Sequence, residues 1–575
     1  MSADADLPPR TASSETVRQI ENGELIGFEN DNGTHTWLGI PYARAPLAEL
    51  RWKAPRPAAD WSGTLEALDF GNNCAQGEKS SEDCLYLNVW APGNQTGNKP
   101  LPVMLWIHGG GNTGGGGQSI SYNGAKLAGR HDVVVITINY RLGPLGWFRH
   151  PALSTGSPED DSGNYGTLDI IQALKWVQTN IASFGGDPDK VTIFGESAGG
   201  FNVLSMQASP LAKGLFHRAI VQSGGLDITN VDVAAQSARE AVNNMLLIDG
   251  KVADRDTANR LQETMSPQEL ASYLTGKSAD QIIAAHQHQA GSGDSKGSKA
   301  ASGGSVDILG DGHVLPKDMK NAEIFSDTNN YNAVPVVLGT NRDEGTFFAM
   351  FDSNLVDHSL GFIPVGFKDE AAYVRAVRYG SDQWKLSGVD SLAIPMKNAQ
   401  GDGVFAYRWD VDDLRHLGFI DLNVLLGASH GMEVPFVFGN LTNSVEIYYK
   451  GLMTPEVAQV SDSMMSYWAE FAYTGDPGKG RTGREVLWSG WQNGDANNPR
   501  LLVLDSAGDQ GIRMSSERVT GDSLKAEFLS DRSFTDQQQY CEAYLRLFPD
   551  DNSGSKENLF VAAEYVSLGR GGCGH

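Results

Sequence analysis

The sequence predicts an α/β fold: a central, mostly parallel, twisted sheet with helices on both faces and long helical or loop excursions. Three observations carry that expectation. Short runs rich in β-branched and apolar residues recur at Pro102–Ile107, Val133–Ile138, Val191–Phe194 and Val334–Asn341, and runs this short and this apolar suit strands buried on both faces. Between them, Thr167–Phe184 places Leu168, Ile171, Leu174, Val177 and Ile181 at three- and four-residue steps, which is one buried stripe on a helix. Finally, Val191–Phe194 passes through Gly195-Glu196-Ser197-Ala198-Gly199 directly into Ala198–Ala208, a stretch able to form a helix.

In chain order, Pro102–Ile107 comes first and ends in His108-Gly109-Gly110-Gly111. Without side chains, the N–H groups of Gly110 and Gly111 are free to face a substrate oxygen. Gly109-x-Gly111-x-x-Gly114 after a strand also matches a dinucleotide-binding fingerprint, which calls for an acid at the end of the next strand. That strand, Val133–Ile138, ends in Asn139-Tyr140-Arg141, and Asp132 stands at its wrong end. The dinucleotide reading is rejected. At Gly195–Gly199 the chain fits G-x-S-x-G, in which a sharp strand-to-helix turn pushes the serine out of the sheet. A serine so placed needs a base to take its proton, an acid to orient that base, and amide donors for an oxyanion. The N–H of Ala198 is a third candidate donor beside Gly110 and Gly111.

Several further segments resemble the type-B carboxylesterase/lipase family of the α/β-hydrolase superfamily, in particular its bacterial para-nitrobenzyl-type branch. They are Gly39–Arg44, Ser81–Val89, Asn139–Arg141, Phe184–Pro188 and Phe194–Gly200, and the likeness runs from about Val17 to about Phe548. The resemblance implies an α/β-hydrolase fold and serine ester hydrolysis through an acyl-enzyme, with no cofactor and no metal. It places the triad acid at Glu344, with Asp343 as local competitor, and the base at His430 in Ser429–Phe436. Among the other histidines, His35, His131, His150, His217, His358 and His416 have no local pattern, His286 and His288 lack further metal ligands, and His108 belongs to the glycine turn. The resemblance also implies supporting roles for Glu196 and for Ser223, the latter bonding the acid. It further implies a Cys74–Cys84 disulfide and buried ion pairs Arg44–Glu82 and Arg141–Asp169. Cys541 and Cys573 remain as a possible second pair.

The substrate expected is a small to medium ester. The stretch between Cys74 and Cys84 holds no aromatic residue, unlike the longer loop of cholinesterases, so choline esters are poor candidates. The triple glycine before Asn112 resembles esterases that accept bulky or tertiary alcohols. Amide hydrolysis would use the same parts, and the resemblance favours esters.

Composition sets limits. A net charge of −25 argues against nucleic acid and anionic membranes as partners, and no stretch reaches the roughly 20 apolar residues of a membrane span. The partner expected is a small-molecule ester, the chain acting as monomer or homodimer. The 575 residues would suggest several domains on length alone. No linker interrupts the pattern, however, so one domain is expected over 17–550, with a flexible segment 1–16 and a tail 551–575. Gln287–Ser305 reads as a surface excursion rather than a substrate lid, and Leu559–Ala563 as an apolar run able to dock. Met1–Arg10 lacks the apolar core of a signal peptide, whereas paired cysteines favour a secreted or periplasmic mature form over a cytoplasmic one.

Overall fold

A computed structural model describes residues 10–77, 79–93, 99–291, 308–317, 319–359, 363–414, 416–417, 420–444 and 454–548, with 560–561, 565 and 573 beyond them. Eleven strands form the main sheet: β1 Phe28–Glu29, β2 Thr34–Pro41, β3 Tyr86–Pro92, β4 Leu101–Ile107, β5 Val134–Ile138, β6 Gly186–Glu196, β7 Arg218–Gln222, β8 Val336–Asn341, β9 Val404–Trp409, β10 Leu501–Leu504 and β11 Arg513–Ser515. Their spatial order is β11-β10-β9-β8-β7-β6-β4-β5-β3-β2-β1. From β10 across to β5 every neighbouring pair is parallel, and antiparallel pairs close both edges.

Alternation along the strands explains why the central runs are apolar throughout. Val103, Leu105, Ile107 and Ile193 point to one face, where they join Ile170, Leu174 and Val177 of α2 (Tyr165–Asn180). Met104, Trp106 and Phe194 point to the other, against Trp468 and Phe471 of the long helix Pro455–Thr474. With period-two side chains and helices on both faces, no position in β4, β5 or β8 is free to be polar and solvated. Helix α1 (Ala125–His131) covers the second face and α3 (Ala198–Ala208) the first. A third core, including Ala238, Val242 and Leu274, lies within the helical excursion that begins with α4 (Val231–Ile248).

The expected strands form, most of them within two residues of their expected starts, but β6 opens five residues earlier, at Gly186. The expected helix 167–184 begins at Tyr165, stops at Asn180 and tightens into a 3₁₀ turn at Ile181–Phe184 that Gly185 closes at φ 81°. The N-terminal boundary shifts. Thr16 is fully buried, its hydroxyl accepts the Gly27 N–H and its carbonyl accepts Trp37 Nε1, so the fold includes residues assigned to a flexible leader. Near the other end, Cys573 is bonded to Cys541 and shares a small core with Tyr540 and Tyr544. Residues 292–305, and 559 and 562–563 of the apolar run, lie outside the described residues. Among the described residues no helix is long and apolar enough to cross a membrane.

One ion pair is as expected and one is corrected. Arg141 and Asp169 are buried together at 2.7 Å. Glu82 pairs with Arg51, Nε to Oε2 at 2.6 Å, instead of Arg44. Arg44 is exposed, whereas the Arg51 side chain is largely covered and also donates to the carbonyls of Thr275 and Lys277.

Candidate active site

Ser197 stands at the tip between β6 and α3 with φ 55° and ψ −125°, a conformation that costs a non-glycine residue about 1–3 kcal/mol. Two hydrogen bonds hold it there: Ser197 N–H donates to the Gln222 carbonyl at 2.9 Å, and Phe201 N–H donates to the Ser197 carbonyl at 3.0 Å. The flanking glycines follow from close packing. A Cβ on Gly199 would lie 2.0 Å from the Ile107 carbonyl oxygen, so only glycine lets α3 start this near β4.

That contact sets the elbow beside the turn after β4. Gly110 and Gly111 are exposed, with φ 105° and 63°, and the N–H groups of Thr113 and Gly114 both close onto the Gly110 carbonyl at 3.0 Å. Among the described residues no hydrogen bond uses the N–H of Gly110 or Gly111. The Ala198 N–H opens α3, where an amide has no intrahelical acceptor. His108 anchors the turn from below, stacked on Tyr140 with ring centres 4.4 Å apart. Burial brings its imidazole down to about 4, so it is a neutral packing group.

Glu344 follows β8, and His430 comes from the loop that crosses above it. His430 Nδ1 lies 2.5 Å from Glu344 Oε2; an ionised carboxylate can only accept, so Nδ1 carries the hydrogen, and in the neutral ring the lone pair falls on Nε2. The other Glu344 oxygen takes the Thr340 hydroxyl at 2.9 Å and the Asn341 N–H at 2.7 Å. Asp343 plays another part: it accepts from Arg342 and from the Ala428 N–H at 2.9 Å, which ties the histidine loop to β8. His430 Nε2 faces the elbow, 3.2 Å from the Glu196 carboxylate next to Ser197.

The charges around this imidazole are unusual. Burial pushes Glu196 up to about 8, reinforced by the charges of Glu433 and Glu344 against the pull of His430. For His430, burial pushes the imidazole down, but the carboxylates of Glu196 and Glu344 outweigh it and raise the ring to about 9. An ionised Glu196 therefore favours the protonated form of the His430 ring.

Ser223 is a correction. Among the described residues its buried hydroxyl has no hydrogen-bond partner, and the hydroxyl that reaches Glu344 is that of Thr340. Ser223 has φ 49° and gives its N–H to the Gly339 carbonyl and its own carbonyl to Trp384 Nε1, a geometry that turns the strand end without reaching the acid.

Several neighbours were not singled out from the sequence. Glu433, fully buried, accepts from Gln222 at 3.1 Å and Asn341 at 2.6 Å. Asn112 accepts from Asn202 on α3 at 2.8 Å. Phe347, Phe348 and Trp384 surround the His430 ring at centroid distances of 5.7, 5.6 and 5.0 Å, with Phe347 exposed. Phe347 and Phe348 stand in Glu344-Gly345-Thr346-Phe347-Phe348, so their nearness to the acid was a usable signal. For Asn112 and Trp384 the sequence offers none.

The model of the Carboxylesterase family matches residues 14–361 and 369–519. The para-nitrobenzyl esterase of Bacillus subtilis (strain 168) is 35% identical over 498 residues, spanning 83% of this chain and 92% of that one. The fumonisin B1 esterase of Sphingopyxis macrogoltabida is 34% identical over 490 residues, 82% of this chain and 84% of the relative. Among solved structures, a Geobacillus stearothermophilus carboxylesterase at pH 6.2 aligns with a TM-score of 0.67 at 29% identity, covering 89% of this chain and 99% of the other.

Proposed function

The chain belongs to the carboxylesterase family and is a carboxylic ester hydrolase, and from that premise we propose that Ser197, His430 and Glu344 are its triad. Ser197 Oγ attacks the ester carbonyl while His430 Nε2 takes its proton. Glu344 fixes the tautomer at Nδ1 and stabilises the imidazolium that forms. The N–H groups of Gly110, Gly111 and Ala198 hold the developing oxyanion, each worth about 3 kcal/mol in the transition state by analogy with measured donors. His430 then protonates the leaving alcohol, and water, deprotonated by the same ring, releases the acyl group. The 2.5 Å contact between His430 and Glu344 is the observation that supports this reading.

Esters of bulky or tertiary alcohols suit the site. The side-chain-free, exposed Gly110-Gly111 edge leaves room beside the oxyanion, and the Phe347, Phe348 and Trp384 rings offer an apolar wall. The likeness to esterases named for para-nitrobenzyl and fumonisin B1 substrates is compatible with large alcohol portions. The protein acts as a monomer or homodimer on such small molecules.

The test is a panel of para-nitrophenyl esters, matched anilides, ethyl acetate and tert-butyl acetate. Ser197→Ala should lose about 10⁶-fold in kcat, and Glu344→Gln about 10⁴-fold with KM little changed. Retained activity in Ser197→Ala refutes the triad. Anilide rates rivalling the esters overturn the ester preference. Ethyl acetate turned over with no tert-butyl acetate hydrolysis removes the tertiary-alcohol claim.

A further inference from the structure

The glycine turn that carries Gly110 and Gly111 is gripped from outside by a side chain that the mechanism does not use. Gln76 Nε2 donates to the Gly115 carbonyl at 2.7 Å, and Gly115 N–H donates to Gln76 Oε1 at 2.9 Å. One side-chain amide thus pairs with both polar groups of one residue, as a strand neighbour would. The second Nε2 hydrogen goes to the Cys74 carbonyl at 3.0 Å, so both amide hydrogens and the amide oxygen are engaged.

This grip reaches the oxyanion amides through a short path. Gly114, next to Gly115, gives its N–H to the Gly110 carbonyl, as does Thr113. Moving Gly115 therefore tilts the Gly110–Gly111 peptide plane, which carries the Gly111 N–H, and pulls on the Gly110 residue next to it. On the inner side the turn is fixed by Asn202 to Asn112, and by the Tyr140 hydroxyl to the His108 carbonyl at 2.6 Å. On the outer side Gln76 supplies the matching hold.

Gln76 is itself presented by a closed frame. The disulfide joins Cys74 to Cys84 across a separation of 10 residues. Within that ring the Gln76 N–H bonds the Ser80 hydroxyl at 3.0 Å, and Glu82 is clamped by Arg51. A ring of this kind loses less entropy when it orders a side chain than an open loop would.

We propose that Gln76 is a positioning residue for the oxyanion amides, acting through Gly115, and that the Cys74–Cys84 crosslink holds it in place. The claim rests on Gly110 and Gly111 serving as oxyanion donors to a Ser197 nucleophile. Misaligning these donors costs less than deleting one, so the effect sits below the about 10²–10³-fold loss seen when a donor is removed.

The experiment compares wild type, Gln76→Met (similar length, no hydrogen bonding), Cys74→Ala/Cys84→Ala and the three combined, with Ser197→Ala as control. Kinetics on a para-nitrophenyl ester are paired with inhibition by an arylboronic acid, whose tetrahedral serine adduct places an oxygen at the donors. Gln76→Met should lower kcat about tenfold and weaken the boronate by a similar factor, with KM held within about twofold. Adding the cysteine changes to Gln76→Met should cost little more, because both act through one path. A kcat for Gln76→Met within twofold of wild type, or losses that simply multiply, overturns the proposal. Should the cysteine variant fail to fold, the kcat–KM split and the boronate shift of Gln76→Met still decide. An active Ser197→Ala would instead remove the underlying site reading, so the two failures are told apart.

Discussion

Glu196 carries a charge question that the triad alone does not answer. Its carboxylate lies 3.2 Å from His430 Nε2, the nitrogen to which the proposed triad assigns the serine proton. Burial raises Glu196 to about 8, and the surrounding carboxylates raise His430 to about 9 despite its burial. The proposed triad needs a neutral Nε2, so kcat/KM should rise with pH as the imidazolium gives up its proton. An ionised Glu196 keeps that proton on the ring, whereas a glutamine leaves only a dipole. Glu196→Gln should therefore shift the acidic limb of the kcat/KM profile to lower pH. A limb that stays in place, or moves up, would show that Glu196 does not act on the imidazole. At this scale, the positions that chain-local patterns predict were legible. Glu344 and His430 meet as the motifs implied because each follows a recognisable strand or loop. Ser223 did not take its expected role, since a strand end can aim a hydroxyl to either side and one torsion decides. Thr340, four residues before Glu344, supplies the bond instead.

Between β6 and α3, function and packing impose the same demand. The helix can begin under Ser197 only if its first turn nearly touches β4, and the 2.0 Å that a Cβ on Gly199 would leave to the Ile107 oxygen measures how little room exists. Backbone cannot yield as a flexible side chain can. Gly199→Ala should cost about 3 kcal/mol, at the upper end of overpacking penalties. The check is chemical denaturation, with an alanine equal to wild type in midpoint removing the packing argument. Elements of this kind were readable because strands buried on both faces leave uninterrupted apolar runs and a one-sided helix leaves a stripe. Boundaries were less readable. The turn at Ile181–Phe184 keeps the apolar spacing of α2 while its hydrogen bonding tightens, so periodicity overran the helix end. The early opening of β6 at Gly186 carries Asp187 and Asp189, polar residues that hid its first half. Ion-pair partners depend on which loop folds over which: Arg44 and Arg51 are seven positions apart in sequence, and only the path of the chain selects the second for Glu82.

Across the whole molecule, one buried pair joins segments that the sequence keeps far apart. Arg141, just past β5, gives Asp169 on α2 its backbone N–H at 3.0 Å, its Nε at 2.8 Å and an Nη2 hydrogen at 2.7 Å. A further hydrogen goes to the Lys53 carbonyl at 2.8 Å, and the guanidinium lies over the Tyr165 ring. The N-terminal region, the sheet and the first large helix are thus fastened at one point. Both side chains are almost fully covered, so removing the cation leaves a carboxylate in a medium that solvates it poorly. Such a loss costs about 3–5 kcal/mol, more than most contacts in a folded chain. None of these atoms reaches Ser197 or His430, so chemistry in molecules that remain folded should be nearly unchanged. Arg141→Ala is expected to lower the thermal midpoint clearly, while kcat per titrated active serine stays within about twofold of wild type. Counting sites with a fluorophosphonate probe separates the two effects. A variant with normal stability and a collapsed kcat per site would place Arg141 in the chemistry instead of the scaffold.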